Sequence, residues 1–188
     1  MIEIGTYRKS NIVSYIVTDL DLSKRILLEE CPRVVVSDYE NTTLGAFKKF
    51  SHEAVERVAL AVVDYGKRLC YSGLLSDDCT FLTAFKDETT GELVGYLLWS
   101  FGTVWYNDYL YLIEELSTGN IKEGYHGMAR NACWYLQEVA KELRECFPKA
   151  DIAGIVAGVS QPEVKEQVRN TYEKKNKFIT LYQFYKEI

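Results

Sequence analysis

The hydrophobic positions of the chain first follow a helical period. In residues 10–31 apolar side chains recur at loosely helical intervals, and Asp19 and Asp21 interrupt them, so this segment predicts two short helices. Farther on, Ser51 is a predicted N-cap for an amphipathic helix that ends near Gly73. The apolar positions of that helix follow the i, i+3, i+4, i+7 pattern and are Val55, Val58, Ala59, Val62, Val63 and Leu69.

From Cys79 onward the pattern changes to one typical of strands. Residues 79–86 (CTFLTAFK) and 92–100 (ELVGYLLWS) are rich in β-forming residues, and a glycine-containing loop joins them, so they predict a β-hairpin. Residues 109–117 (YLYLIEELS) predict a third strand of the same antiparallel meander. Residues 151–159 (DIAGIVAGV) are almost entirely apolar, as expected of a central strand covered on both faces, and residues 178–185 (FITLYQFY) predict a last strand.

Two further helices are predicted in the second half of the chain. Apolar residues between 132 and 147 recur at helical spacing up to Pro148, which ends the helix. A capping-box spacing at 160–163 opens another helix, which carries Tyr172 on its apolar face. This order predicts an α/β fold with a mixed sheet flanked by helices, and since no repeat or linker divides the chain, we expect residues 1–188 to form a single domain.

Composition narrows the class of protein. Hydrophobic residues make up 47% and charged residues 26%, as in globular proteins, and the formal charge of −5 argues against a broad nucleic-acid-binding surface. Neither a leader pattern nor an apolar run long enough to span a membrane is present, so we expect a soluble cytoplasmic protein. The five cysteines are scattered and the two histidines are isolated, which favours reduced thiols and no metal site.

The strand, loop and helix at 109–147 form the most informative junction. Residues 124–129 (GYHGMA) lie where the helix begins, and their small residues allow backbone N–H groups to approach an anion such as a pyrophosphate. The alternative interpretation is a surface turn with a glycine at the start of the helix.

This junction also resembles a known family. Residues 113–129 (IEELSTGNIKEGYHGMA) resemble the central motif of the GNAT acyltransferase superfamily, in which a strand similar to I-E-D-L-x-V leads to an R/Q-x-x-G-x-G/A loop and a long helix. Residues 172–178 (YEKKNKF) resemble its late Y-E-K-x-G-F signature, with one residue more. Gly124 stands where the family usually has Arg or Gln, and Lys122 or Arg130 are the candidates to supply the missing positive charge.

The resemblance implies a GNAT-like sheet in which two strands diverge and hold the pantetheine arm of acetyl-CoA. It also implies the residues that would bind this cosubstrate: Leu116, Ser117 and Thr118 through backbone groups along the arm, and Gly124, Tyr125, His126, Gly127, Met128 and Ala129 around the pyrophosphate, with Arg130 nearby. For His126, facing water is an equal alternative.

The resemblance further implies catalytic roles. Tyr172 matches the position that protonates the departing thiolate, although its helix face equally allows a packing role. The base would be Glu115 or Glu114, which the strand period of two directs to opposite faces, and the alternative for each is a solvated side chain. Cys133 is expected to be a packed thiol rather than an acyl carrier.

These features imply an N-acetyltransferase that transfers an acetyl group from acetyl-CoA to an amine of a small molecule or protein. The alternative is a noncatalytic interaction module of the same fold with a degenerate CoA site. An aromatic group could wall the acceptor pocket, form a homodimer patch or be core, and core is favoured; its members are Trp99, Phe101, Trp105, Tyr106, Tyr109 and Tyr111.

Overall fold

A computed structural model describes residues 5–31, 51–72, 79–103, 109–118, 121, 127–157, 170 and 173–174, and for residues 114–118 it describes the backbone. The strands are β1 (Tyr7–Lys9), β2 (Ile12–Ile16), β3 (Thr80–Asp87), β4 (Leu93–Thr103), β5 (Leu110–Thr118) and β6 (Ile152–Ala157). The helices are α1 (Leu20–Lys24), α2 (His52–Lys67) and α3 (Met128–Cys146), and α1 and α2 continue into π-helical turns at Arg25–Glu30 and Arg68–Ser72.

The six strands form one mixed sheet in the order β1-β2-β3-β4-β5-β6. Every neighbouring pair is antiparallel except β5 and β6, which are parallel because α3 returns the chain between them. The predicted hairpin and the meander of β3, β4 and β5 are confirmed. The predicted helix at 163–172 and the predicted strand at 178–185 lie outside the described residues, apart from isolated positions.

One sequence prediction is wrong. The first of the two helices expected in residues 10–31 is the strand β2, which pairs with β3 from Ile12–Asp87 to Ile16–Thr83. Its apolar residues fit a period of two as well as a helical period, and β-branched side chains that can pair with β3 favour the strand. The second helix is confirmed as α1, whose N-cap Asp19 accepts a hydrogen bond from the Leu22 N–H at 2.8 Å.

The other two described helices follow the sequence pattern closely. Ser51 caps α2, with its Oγ accepting a hydrogen bond from the Ala54 N–H at 3.3 Å. The last residue of α3 is Cys146, shortly before Pro148, as expected for a helix ended by proline. None of the described helices combines the length and apolar character needed to cross a membrane.

Helices cover both faces of the sheet. On one face α3 packs on β3, β4 and β5 around the fully buried Phe81, Trp99 and Tyr135. On the other face α1 and α2 bury Ile26 and Val62 against the same strands. The fold is therefore α/β, with a mixed sheet between helical layers.

Strand β6 is less covered than its composition predicts. Ile152 is buried, but Ala153 is exposed and residues 154–157 are only partly buried. Among the described strands β6 stands at the edge of the sheet, beside β5.

Hydrogen bonds attach the N-terminal part of the chain to α3. The Glu142 carboxylate accepts hydrogen bonds from the Gly5 N–H at 3.2 Å and from the Tyr7 hydroxyl. The buried Tyr135 hydroxyl donates to the Gly5 carbonyl at 3.1 Å. Because Gly5 and Tyr7 are held in this way, β1 lies beside the helix whose first turn belongs to the candidate site.

Candidate functional site

The described residues of the parallel strands β5 and β6 pair from Leu110–Ile152 to Glu114–Ala157, and Ala157 is the last described residue of β6. Residues 115–118 continue β5 and pair with β4 on the other side. This stretch of β5 is the one that the sequence predicts to hold the pantetheine arm through backbone groups.

A β-bulge interrupts β5 just beyond its last described pair with β6. Leu98 pairs with Leu116 and Trp99 pairs with Glu114, so Glu115 is the extra residue without a partner on β4. Bulges bend the strand and redirect side chains, and they occur often beside active sites.

The first turn of α3 has the features of an anion site. Gly127 precedes the helix with φ of 112° and ψ of 12°, and it offers no side chain to cap the helix. The first hydrogen bond of the helix runs from the Asn131 N–H to the Gly127 carbonyl at 3.1 Å. The N–H groups of Met128, Ala129 and Arg130 consequently have no carbonyl acceptor within the helix, and the helix dipole makes this end positive.

Two basic side chains lie beside that first turn. Arg130 is exposed, and its Nη2 is 3.6 Å from the position that a Cβ on Gly127 would take. Lys9 comes from β1, with its Nζ 4.9 Å from the centroid of the Trp134 ring, one turn farther along α3. Sequence reasoning identified Arg130 and missed Lys9, because only the packing of β1 on α3 brings Lys9 here.

The remaining predicted site residues are described in part or not at all. Gly124, Tyr125, His126 and Tyr172 lie outside the described residues, and for Glu114, Glu115, Leu116, Ser117 and Thr118 only the backbone is described. Their predicted roles stay predictions. The structure does bring Gly127, Met128, Ala129 and Arg130 together at the start of α3.

The aromatic group is mainly core where it is described. Trp99 is fully buried and its Nε1 donates to the Thr83 Oγ1 at 3.0 Å, and Phe101 is 2% exposed. Tyr109 differs, since it is 45% exposed. Tyr111 is partly buried, and residues 105 and 106 lie outside the described residues.

The thiols have the character of packing residues. All five cysteines are reduced, and Cys133 is buried in α3, as predicted. Burial, with a smaller contribution from Glu142, raises the pKa of the Cys70 thiol to about 11, so this thiol is protonated at neutral pH. In the part of the chain that the structure describes, no group of three or more His, Cys, Asp or Glu side chains could hold a metal ion.

Comparison with known proteins identifies the fold. No family model matches this sequence, and no curated protein matches it. Solved structures do match. A possible acetyltransferase from Clostridium difficile 630 is 12% identical with a TM-score of 0.60, covering 95% of this chain and 98% of its own.

Two further structures agree with the first. A ribosomal-protein-alanine N-acetyltransferase from Brucella melitensis biovar Abortus 2308 is 11% identical with a TM-score of 0.54, over 95% of this chain and 99% of its own. An aminoglycoside acetyltransferase from an uncultured soil metagenomic sample is 13% identical with a TM-score of 0.55, covering 95% of this chain and 99% of its own. The chain therefore shares the fold of these three solved structures, which is the kind of fold that its motifs predict.

Proposed function

We propose that this protein is an N-acetyltransferase that transfers an acetyl group from acetyl-CoA to an amine by direct attack. One observation carries the proposal: β5 has a bulge at Glu115, and the chain then leads to a helix that begins at Gly127 beside Arg130. Bulges redirect side chains beside active sites, and the start of such a helix suits phosphate groups.

The described residues fit acetyl-CoA in charge and in space. The backbone groups of Leu116, Ser117 and Thr118 would hydrogen-bond to the pantetheine arm. The N–H groups of the first turn of α3 would bind the pyrophosphate together with residues 124–126. Among the described residues, a Cβ on Gly127 would meet only the Arg130 side chain within 4 Å.

The reaction needs two proton transfers. The amine nitrogen attacks the thioester carbonyl, a C–N bond forms, and the C–S bond then breaks. Glu115 or Glu114 would accept the proton that the amine loses, and Tyr172 would donate a proton to the departing thiolate. The Glu115 bulge supports a role for this part of β5, because bulges serve to redirect side chains beside active sites.

The acceptor, the compartment and the assembly belong to the same proposal. The acceptor is an amine of a small molecule or protein. The cytoplasm is the expected compartment, and the reduced cysteines support it. The exposed Tyr109 is consistent with a homodimer patch on the aromatic group.

An acetyl-transfer assay tests the proposal. The purified chain is incubated with acetyl-CoA and separate amines, and release of the CoA thiol is followed. The amines include polyamines, amino acids, an aminoglycoside and a peptide with an N-terminal alanine, the last two chosen from the names of the structural neighbours. We expect release that depends on one class of amine. Binding of acetyl-CoA without release for any amine would contradict catalysis, and a chain that binds no acetyl-CoA would favour the interaction module.

A further inference from the structure

Lys9 and Arg130 are brought to one side of the start of α3 by the packing of β1 on this helix. The Lys9 ammonium lies over the Trp134 ring, with Nζ 4.9 Å from its centroid. Trp134 follows Arg130 by one helical turn, so the two residues share a face of α3. Arg130 in turn reaches back toward Gly127, where its Nη2 is 3.6 Å from the place of a Cβ.

The positive charge of this pair is not balanced by the surrounding carboxylates. Among the described residues, neither Lys9 nor Arg130 forms an ion pair. Glu138, one turn beyond Trp134, pairs instead with Lys141 at 2.6 Å. The adjacent Arg8 pairs with Glu88 at 2.8 Å.

The two cations disfavour each other's charge. Burial lowers the pKa of Lys9, and the nearby charge of Arg130 lowers it further, while Glu138 acts in the opposite direction. The positive end of α3 adds to the repulsion. A bound anion would relieve this repulsion.

We propose that Lys9, together with Arg130, binds a phosphate group of the CoA cosubstrate at the start of α3. This inference rests on the proposed function. Lys9 thereby supplies positive charge that the loop lacks because Gly124 stands at its first motif position. CoA carries phosphate groups in two places, the pyrophosphate and the 3′-phosphate, and the test below distinguishes between them.

The test compares Lys9→Met with the matched control Arg8→Met by calorimetric titration of the full chain with CoA. Methionine keeps an unbranched side chain over Trp134 and removes the charge. Arg8 is the neighbouring strand residue, and its loss changes the net charge equally. Circular dichroism and thermal melts first establish that both variants are folded.

We expect the Kd for CoA to rise about tenfold in Lys9→Met, since a charge-assisted phosphate contact is lost. We expect a change of less than about twofold in Arg8→Met, because Arg8 forms an exposed ion pair with Glu88, which follows β3. Titration with 3′-dephospho-CoA then locates the contact. Equal affinities of Lys9→Met and the unaltered chain for this ligand assign Lys9 to the 3′-phosphate, and a persisting difference assigns it to the pyrophosphate.

Two outcomes overturn the inference and have different meanings. If the unaltered chain binds CoA and Lys9→Met binds it as tightly, Lys9 has no part in binding and the proposed function stands. If the unaltered chain binds no CoA, the proposed function fails and this inference fails with it.

Discussion

Replacing Gly127 with alanine tests the start of α3 most sharply. Gly127 has φ of 112°, a conformation that residues with a Cβ rarely adopt. In the part of the chain that the structure describes, the added Cβ would meet only the Arg130 Nη2, at 3.6 Å, which is an ordinary van der Waals contact. The cost is backbone strain, which the chain can relieve only by rotating the peptide groups that begin the helix.

The expected magnitudes follow from that strain. A residue held in a rare backbone conformation costs about 1–3 kcal/mol, and for a chain of this size each kcal/mol lowers Tm by roughly 2–4 °C. Rotation of the first N–H groups of α3 would also remove a charge-assisted hydrogen bond to phosphate, so the Kd for CoA should rise at least about tenfold. Gly91→Ala is the matched control, because Gly91 has φ of 71° in the β3–β4 turn with nothing within 4 Å of its Cβ position.

Thermal melts of both variants with and without acetyl-CoA provide the assay. We expect both to melt below the unaltered chain, and only Gly127→Ala to lose most of the stabilisation by acetyl-CoA. A folded Gly127→Ala variant stabilised by the ligand as strongly as Gly91→Ala would refute the assignment of this helix start to phosphate.

Three further predictions concern tyrosines. Tyr172→Phe should reduce turnover in steady-state kinetics roughly 100- to 10,000-fold and leave the affinity for CoA in titration unchanged. Full turnover of this variant would mean that Tyr172 has only a packing role. Tyr135→Phe should lower the free energy of unfolding in urea by about 1 kcal/mol, because the hydrogen bond to Gly5 is lost. Tyr96→Phe removes a buried hydroxyl that faces the Cys31 thiol, a weak hydrogen-bonding group, and should cost less; equal losses would contradict this. Burial raises the pKa of Tyr7, Tyr96 and Tyr135, so their contribution to stability is fully present below about pH 10 and declines above it as the unfolded tyrosines ionise. Urea melts from about pH 9 to about pH 11 measure this decline, and a flat profile would speak against it.

The regular elements were predictable where one periodicity dominates. Helix α3 has an uninterrupted apolar face and a glycine before its first residue, and the β3–β4 hairpin has β-rich strands around a turn. Residues 12–16 fit a helical period, which predicts a helix, but this short run of β-branched residues fits the strand period of two as well. Only the pairing with β3 decides between the helix and the strand.

The candidate site was predictable only in its local part. Gly127 and Arg130 lie next to each other in the sequence, so the motif identified them together. The bulge at Glu115 arises from a mismatch in pairing between β4 and β5, and no local pattern encodes it. The position of Lys9 depends on the contact of β1 with α3 through Trp134, and neither segment reveals this contact alone.

Binding of acetyl-CoA to the unaltered protein tests the central claim most directly. A ligand at about 100 times its Kd adds about 2.7 kcal/mol to the free energy of unfolding, which corresponds to a rise in Tm of roughly 5–10 °C for a chain of this length. We predict such a rise with acetyl-CoA and with CoA, and a much smaller one with pantetheine, which lacks the phosphates that the start of α3 would bind. A melting temperature unchanged by millimolar acetyl-CoA and CoA, with no heat of binding in calorimetry, would contradict the account.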